Sequence, residues 1–207
     1  MSKVEEFREN LLQAGILDPE GTHHEFVSGM HGRKLDFDLI EDGTPLYSDW
    51  ISVNAEYIRQ QFDELPEVVL GVANGTNRVA IDTAAELGSG VLGLVTQKDV
   101  QTSKIITLPE EAKRVITEVE PRLVVVTEDV GTTGSNSVQA AVAAQEAGAQ
   151  NVEVVTTWKR WENLERLDEA GIAYRAIINE ALVTYSPEEC AAEGFCTYGW
   201  ELIPRGQ

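Results

Sequence analysis

From Val68 onward the chain alternates short apolar runs with longer amphipathic stretches. The runs are Val68–Gly71, Val91–Val95, Leu123–Thr127, Val152–Thr157 and Ala173–Ile178. Most are continuous blocks of Val, Ile or Leu, as in strands buried on both faces. Between them, Arg78–Leu87, Glu110–Glu118, Ser137–Ala147 and Arg160–Ala170 are rich in Ala and Glu. These stretches predict helices, and Gly88, Gly148 and Gly171 stand where helix ends belong. Strands alternating with helices predict βαβ units, and so an α/β fold with a parallel sheet flanked by helices. Upstream the pattern is less regular. Val4, Phe7, Leu11, Leu12 and Ala14 have helical spacing and Gly15 closes them. Glu25–Asp38, with Ser28-Gly29 and His31-Gly32 inside it, predicts a hairpin or two short strands around a turn. Asp49–Phe62 predicts a helix. The expected organisation is a single domain over 1–207, with a small N-terminal region (1–45), the α/β core (46–180) and a C-terminal tail (181–207).

In parallel α/β sheets ligands bind at the carboxyl ends of the strands, so the loops leaving the strands matter most. The most informative of these is Leu123–Asn136, LVVVTEDVGTTGSN. An apolar strand ends in two adjacent carboxylates, Glu128 and Asp129. The loop Gly131, Thr132, Thr133, Gly134, Ser135, Asn136 follows, and a helix is expected from Ser137. Glycines let the backbone approach a ligand closely. The free N–H groups of a helix N-terminus, with hydroxyls beside them, make an anion site. Carboxylates repel phosphate but suit a diol or a divalent cation such as Mg²⁺. Together these features describe a site for a sugar phosphate. The segment lacks GxxxxGK[ST] and GxGxxG, which argues against a P-loop and against a dinucleotide fold.

This segment resembles the signature of type I phosphoribosyltransferases, which bind phosphoribosyl pyrophosphate (PRPP). The signature has four apolar residues, two acidic ones, then a Thr/Gly-rich loop; Asn136 stands where the family usually has Thr or Ser. The resemblance implies the type I phosphoribosyltransferase fold, with residues 1–45 as an N-terminal hood. It implies that Glu128 and Asp129 contact the ribose hydroxyls and that Gly131 and Thr132–Asn136 hold the 5-phosphate. Mg²⁺ is the implied cofactor, through PRPP and this acidic pair. Val69–Ala80 lies where the family binds pyrophosphate. Ala73, Asn74, Gly75 and Thr76 are the implied loop, with Arg78 adding charge; the plainer reading is an ordinary βα turn.

Two further segments bear on the subfamily. Phe26–Leu39, FVSGMHGRKLDFDL, resembles the N-terminal signature of orotate phosphoribosyltransferases at Phe26, Ser28, Gly29, His31 and Asp38. That places Phe26, Ser28 and His31 on the base side; a surface hairpin is the alternative. Thr96–Lys104, TQKDVQTSK, occupies the place of the mobile loop that neutralises departing pyrophosphate, often across a dimer interface. Lys98 matches its first lysine. Gln97 replaces the arginine, Gln101 the second lysine and Ser103 the histidine, with Lys104 one residue beyond. The implied catalytic set is Lys98, Glu128 and Asp129, and the implied reaction is transfer of the phosphoribosyl group to a nucleobase, orotate first. A purine acceptor is the next alternative. A sensor that binds PRPP or a nucleotide without turnover is the other. A homodimer is expected from the family.

Composition narrows the partners. The formal net charge is −19, which disfavours nucleic acid and anionic membranes; an acidic surface of this kind is also common in high-salt organisms. No apolar run approaches the roughly 20 residues of a membrane span, and the first residues lack a signal-peptide core, so a cytoplasmic location is expected. Cys190 and Cys196, in CAAEGFC, are spaced more widely than the usual metal pair and are expected to be structural or incidental. His23 and His24 form no ligand set by spacing. Trp158 and Trp161 are read as core or interface anchors, with base stacking by Trp158 as an alternative.

Overall fold

The computed structural model describes residues 1–205 except Val27, Asn74, Val100, Gln101, Ser103, Lys104, Glu162 and Asn163. In chain order the first half contains helix α1 (Lys3–Gln13), strands β1 (Thr22–Glu25) and β2 (His31–Gly32), a 3-10 turn at Phe37–Leu39, α2 (Pro45–Gln61), β3 (Val68–Gly71), α3 (Asn77–Leu87) and β4 (Leu92–Val95). Strands β5 (Gln97–Lys98) and β6 (Ile106–Thr107), helix α4 (Glu110–Val119), β7 (Val124–Gly131), α5 (Ser135–Glu146) and β8 (Val152–Lys159) follow. The chain continues through α6 (Glu165–Ala170), β9 (Tyr174–Asn179), β10 (Thr184–Tyr185), α7 (Pro187–Glu193) and β11 (Glu201–Ile203). It divides into two compact units, Asp42–Glu180 and the pair Met1–Glu41 with Ala181–Gln207.

The larger unit is built on a five-stranded sheet of order β4-β3-β7-β8-β9, parallel throughout. One face carries Val68, Leu70, Val124, Val126, Val152 and Val154, packed with Ile116 of α4 and Ala140, Ala141 and Ala144 of α5. Alanines there let α5 lie close to the strands. The other face takes α2 and α3. Trp50 on α2 is buried and donates its indole N–H to Thr157 Oγ1 of β8 at 2.7 Å. Gly93 allows α3 to approach β4: a Cβ there would sit 2.5 Å from Ile81 Cα. The chain leaves β3 towards β4 on one side, then returns to place β7 on the other. That reversal is the topological switch point, and in sheets of this kind ligands bind outside the carboxyl ends of the strands there.

The smaller unit holds a sheet of order β10-β2-β1-β11. Strand β11 pairs parallel with β1, and β10 pairs antiparallel with β2. Residues 181–207, a tail by sequence pattern, are therefore integral to the fold of the N-terminal residues. Local pattern misses this because the partners lie at opposite ends of the chain and the strands are only two to four residues long. Capping boxes at Ser2/Glu5 and Ser186/Glu189 start α1 and α7.

Candidate active site at the carboxyl ends of β3 and β7

Strand β7 runs on to Gly131, longer than the apolar run alone predicts, because β8 pairs with it as far as Gly131↔Lys159. The acidic pair therefore lies within a strand, and its side chains point to opposite faces. Glu128 turns towards α5 and accepts a hydrogen bond from the Ser137 hydroxyl. Its carboxyl is pushed up to about 8, first by burial, with the Asp129 charge adding and the Ser137 bond opposing. Burial thus favours its neutral form. Asp129 turns the other way. Its Oδ1 accepts from the Val130 N–H at 2.6 Å, and its Oδ2 faces Gly75, where a Cβ would come within 2.5 Å. The two carboxylates thus point apart, and Asp129 is the one directed at the neighbouring loop.

The loop after β7 is backed by α6. Gly134 has φ +78°, and a Cβ there would lie 2.8 Å from Leu167 Cγ. The Arg166 N–H donates to Thr133 O at 3.0 Å. Helix α5 starts at Ser135, two residues earlier than the sequence pattern predicts, so Ser135 and Asn136 supply the first N–H groups of the helix, both exposed. Thr133 Oγ1 lies 2.9 Å from Ser135 Oγ. The hydroxyls of Thr133 and Ser135 and the N–H groups of Ser135 and Asn136 therefore lie at the positive end of a helix of 12 residues, with the Ser135 N–H 3.4 Å from Thr133 Oγ1.

The loop after β3 folds back so tightly that a Cβ on Gly71 would meet Thr76 O at 2.5 Å. Thr76 Oγ1 accepts from the Val72 N–H (2.9 Å) and donates to Thr127 O (2.6 Å). The Thr76 N–H donates to Val72 O at 3.2 Å. Thr96, just after β4, accepts from the Ala73 N–H at 2.8 Å, and its backbone exchanges hydrogen bonds with the Asn77 amide. The N–H groups of Ala73 and Thr76 are thus engaged in shaping the turn. Gly75 is exposed beside Asp129, and Asn74 lies outside the described residues. Arg78 pairs with Asp82 at 2.7 Å, one turn along α3, so its charge is shared there.

Lys98 is exposed on β5, whose pairing with β6 makes a hairpin. Gln139 Oε1 of α5 accepts from the Ile106 N–H at 2.8 Å and ties the hairpin base to that helix. Gln101, Ser103 and Lys104 lie outside the described residues. Among the described residues of the hairpin, Lys98 is the one cation. Phe26 and Ser28 flank a tight turn between β1 and β2, with Phe26 N–H donating to Met30 O at 2.8 Å. His31, expected on the base side, instead points inward on β2, with Nδ1 3.6 Å from Cys196 Sγ. Trp158 is fully buried and donates to Glu180 O at 2.8 Å, which removes it as a stacking platform. Sequence reasoning overlooked Arg160. It sits at the carboxyl end of β8, 6% exposed, and its N–H donates to Gly131 O at 2.9 Å. A cation directly after a core strand was the signal available for it.

A parallel sheet with an acidic strand end, a glycine–threonine anion loop and a second tight loop at the switch point is the type I phosphoribosyltransferase fold. Solved structures agree. Orotate phosphoribosyltransferase of Mycobacterium tuberculosis, in complex with PRPP, matches 86% of this chain and 96% of its own, at 21% identity and TM-score 0.59. Adenine phosphoribosyltransferase of Saccharomyces cerevisiae, with adenine and an imino-altritol bisphosphate, matches 84% of this chain and 99% of its own, at 17% identity and TM-score 0.63. In sequence, the chain is 25% identical over 190 residues to HGPRTase-like protein 2 of Haloarcula marismortui, covering 87% of this chain and 93% of that one. No protein-family model matches.

Proposed function

We propose that the protein transfers the 5-phosphoribosyl group of PRPP to a ring nitrogen of a nucleobase, with orotate as the acceptor. The observation that carries this reading is the approach of Asp129 to Gly75 beside the Thr132–Asn136 anion loop. One end of the crevice offers N–H and O–H donors for a phosphate, the middle a carboxylate for a diol, and the far side an exposed glycine turn for a second phosphate group. In the reaction the C1–O bond to pyrophosphate breaks and a C1–N bond to the base forms. The oxocarbenium-like transition state gains most from positioning and from neutralising the leaving group. Asp129, half-buried beside Gly75, would suit Mg²⁺ bound through PRPP, and Glu128, whose neutral form burial favours, would suit it less well. The cation would supply charge neutralisation for the pyrophosphate. Lys98, exposed on the hairpin, would add to this. Orotate is favoured over a neutral purine by the resemblance around Phe26 and Ser28. The chain is proposed to act as a homodimer.

The sparse cations of the β5–β6 hairpin favour a second reading, in which PRPP is bound without turnover. Pyrophosphate release with orotate, adenine and hypoxanthine, measured beside a PRPP titration, separates the two. Release with orotate, lowered about 10²-fold in Lys98→Ala with a smaller change in PRPP affinity, is expected. Binding without release on any base establishes the sensor, and absence of PRPP binding overturns both.

A further inference from the structure

The smaller unit contains a side-chain cluster that the proposed reaction does not use. His23 of β1, His31 of β2, Cys190 of α7 and Cys196 just beyond it bring one ligand atom each to within 4.8 Å of all the others. His23 and Cys190 are fully buried, and His31 is 7% exposed. Cys196 Sγ lies 3.3 Å from His23 Nε2 and 3.6 Å from His31 Nδ1, and Cys190 Sγ lies 3.7 Å from His23 Nε2. We propose that these four side chains form a tetrahedral Cys₂His₂ site for a structural zinc ion.

The geometry favours a central ion over hydrogen bonds alone. Zinc sits about 2.3 Å from sulfur and about 2.0–2.1 Å from nitrogen, so a tetrahedron about it has S···N edges of about 3.5 Å. The three measured S···N distances bracket that value. A thiol has one hydrogen, yet Cys196 Sγ faces two ring nitrogens and His23 Nε2 faces two sulfurs. One cation meets all four lone pairs together.

The surroundings are those of a closed site. The Cys196 N–H donates to Cys190 Sγ at 3.2 Å, the kind of outer bond that orients and stabilises a thiolate ligand. Gly194 makes the return possible, since a Cβ there would lie 2.7 Å from Cys190 Cα and 2.8 Å from the Tyr185 ring. Phe195 packs on His23, Tyr185 and Trp200, walling the cluster with aromatic rings. The physical role follows from topology. The ligands come from both ends of the chain, across strands of two to four residues. Such short strands bury little apolar surface, and a metal is a common substitute for a large core in a small unit.

Full-length protein purified under reducing conditions without added metal tests this by elemental analysis, followed by exchange with Co²⁺. One zinc per chain is expected, together with a thiolate-to-cobalt charge-transfer band and tetrahedral ligand-field bands. Cys196→Ser should lose stoichiometric zinc and part of that band, while His24→Ala, beside the cluster but outside it, keeps both. Should Cys196→Ser fail to fold, the Co²⁺ spectrum of the wild type decides. A folded wild type without zinc that gives no thiolate–cobalt band overturns the proposal. So do full zinc retention in folded Cys196→Ser and recovery of Cys190 and Cys196 as a disulfide.

Discussion

Replacing Glu128 by glutamine should stabilise the ligand-free protein, and more so as pH rises. The carboxyl is raised from an ordinary value of 4.5 to about 8, chiefly by burial. A raised carboxylate favours the folded state most while both states are protonated, below about pH 4.5. As pH rises, the unfolded chain ionises freely and the folded chain resists, so stability is lost through the window from 4.5 to 8. Each tenfold shift in a proton equilibrium is worth about 1.4 kcal/mol, which bounds the full cost at about 5 kcal/mol. Relaxation and partial solvent access reduce it, and about 1–3 kcal/mol is the expected gain above pH 8. Glutamine keeps the shape and an acceptor for the Ser137 hydroxyl, so the charge is the variable. Urea unfolding of both proteins at pH 5, 7 and 9 measures the difference. A stability gap between variant and wild type that stays flat from pH 5 to 9 would refute the reasoning, because it would mean Glu128 titrates normally in the folded state.

Thr133→Val removes the hydroxyl that meets Ser135 Oγ at 2.9 Å, and PRPP affinity by calorimetry should fall by about 1–3 kcal/mol with the melting temperature nearly unchanged. Asp129→Asn preserves the contact with Gly75 but removes the charge; PRPP binding in Mg²⁺ should weaken, and a normal affinity in the folded variant would make the residue structural. Gly134→Ala combines a left-handed φ of +78° with a Cβ 2.8 Å from Leu167, so a loss of about 1–3 kcal/mol in urea unfolding is expected.

The periodic part of the chain was legible without coordinates. Val68–Gly71 is a strand over the residues its apolar run occupies, because a strand buried on both faces must be continuously apolar, and the other four core strands agree to within a few residues at their ends. The strand–loop–helix junction over Gly131–Asn136 was legible for a similar reason. Glycine, threonine and serine favour such a turn, and Gly134 adopts the left-handed conformation in it. What tertiary structure decided lies in the contacts between distant segments. Glu128 and Asp129 are neighbours in sequence and both acidic, yet strand alternation sends one to a part-buried contact with Ser137 and the other to Gly75. Their environments, not their identities, set their chemistry. Likewise the spacing of Cys190 and Cys196 conveyed no ligand set, since the other two members stand more than 150 residues upstream. Pairing of β11 with β1 and of β10 with β2 brings those four side chains together. Local periodicity reports burial of a residue's own segment, but only the folded topology determines which distant side chain faces it.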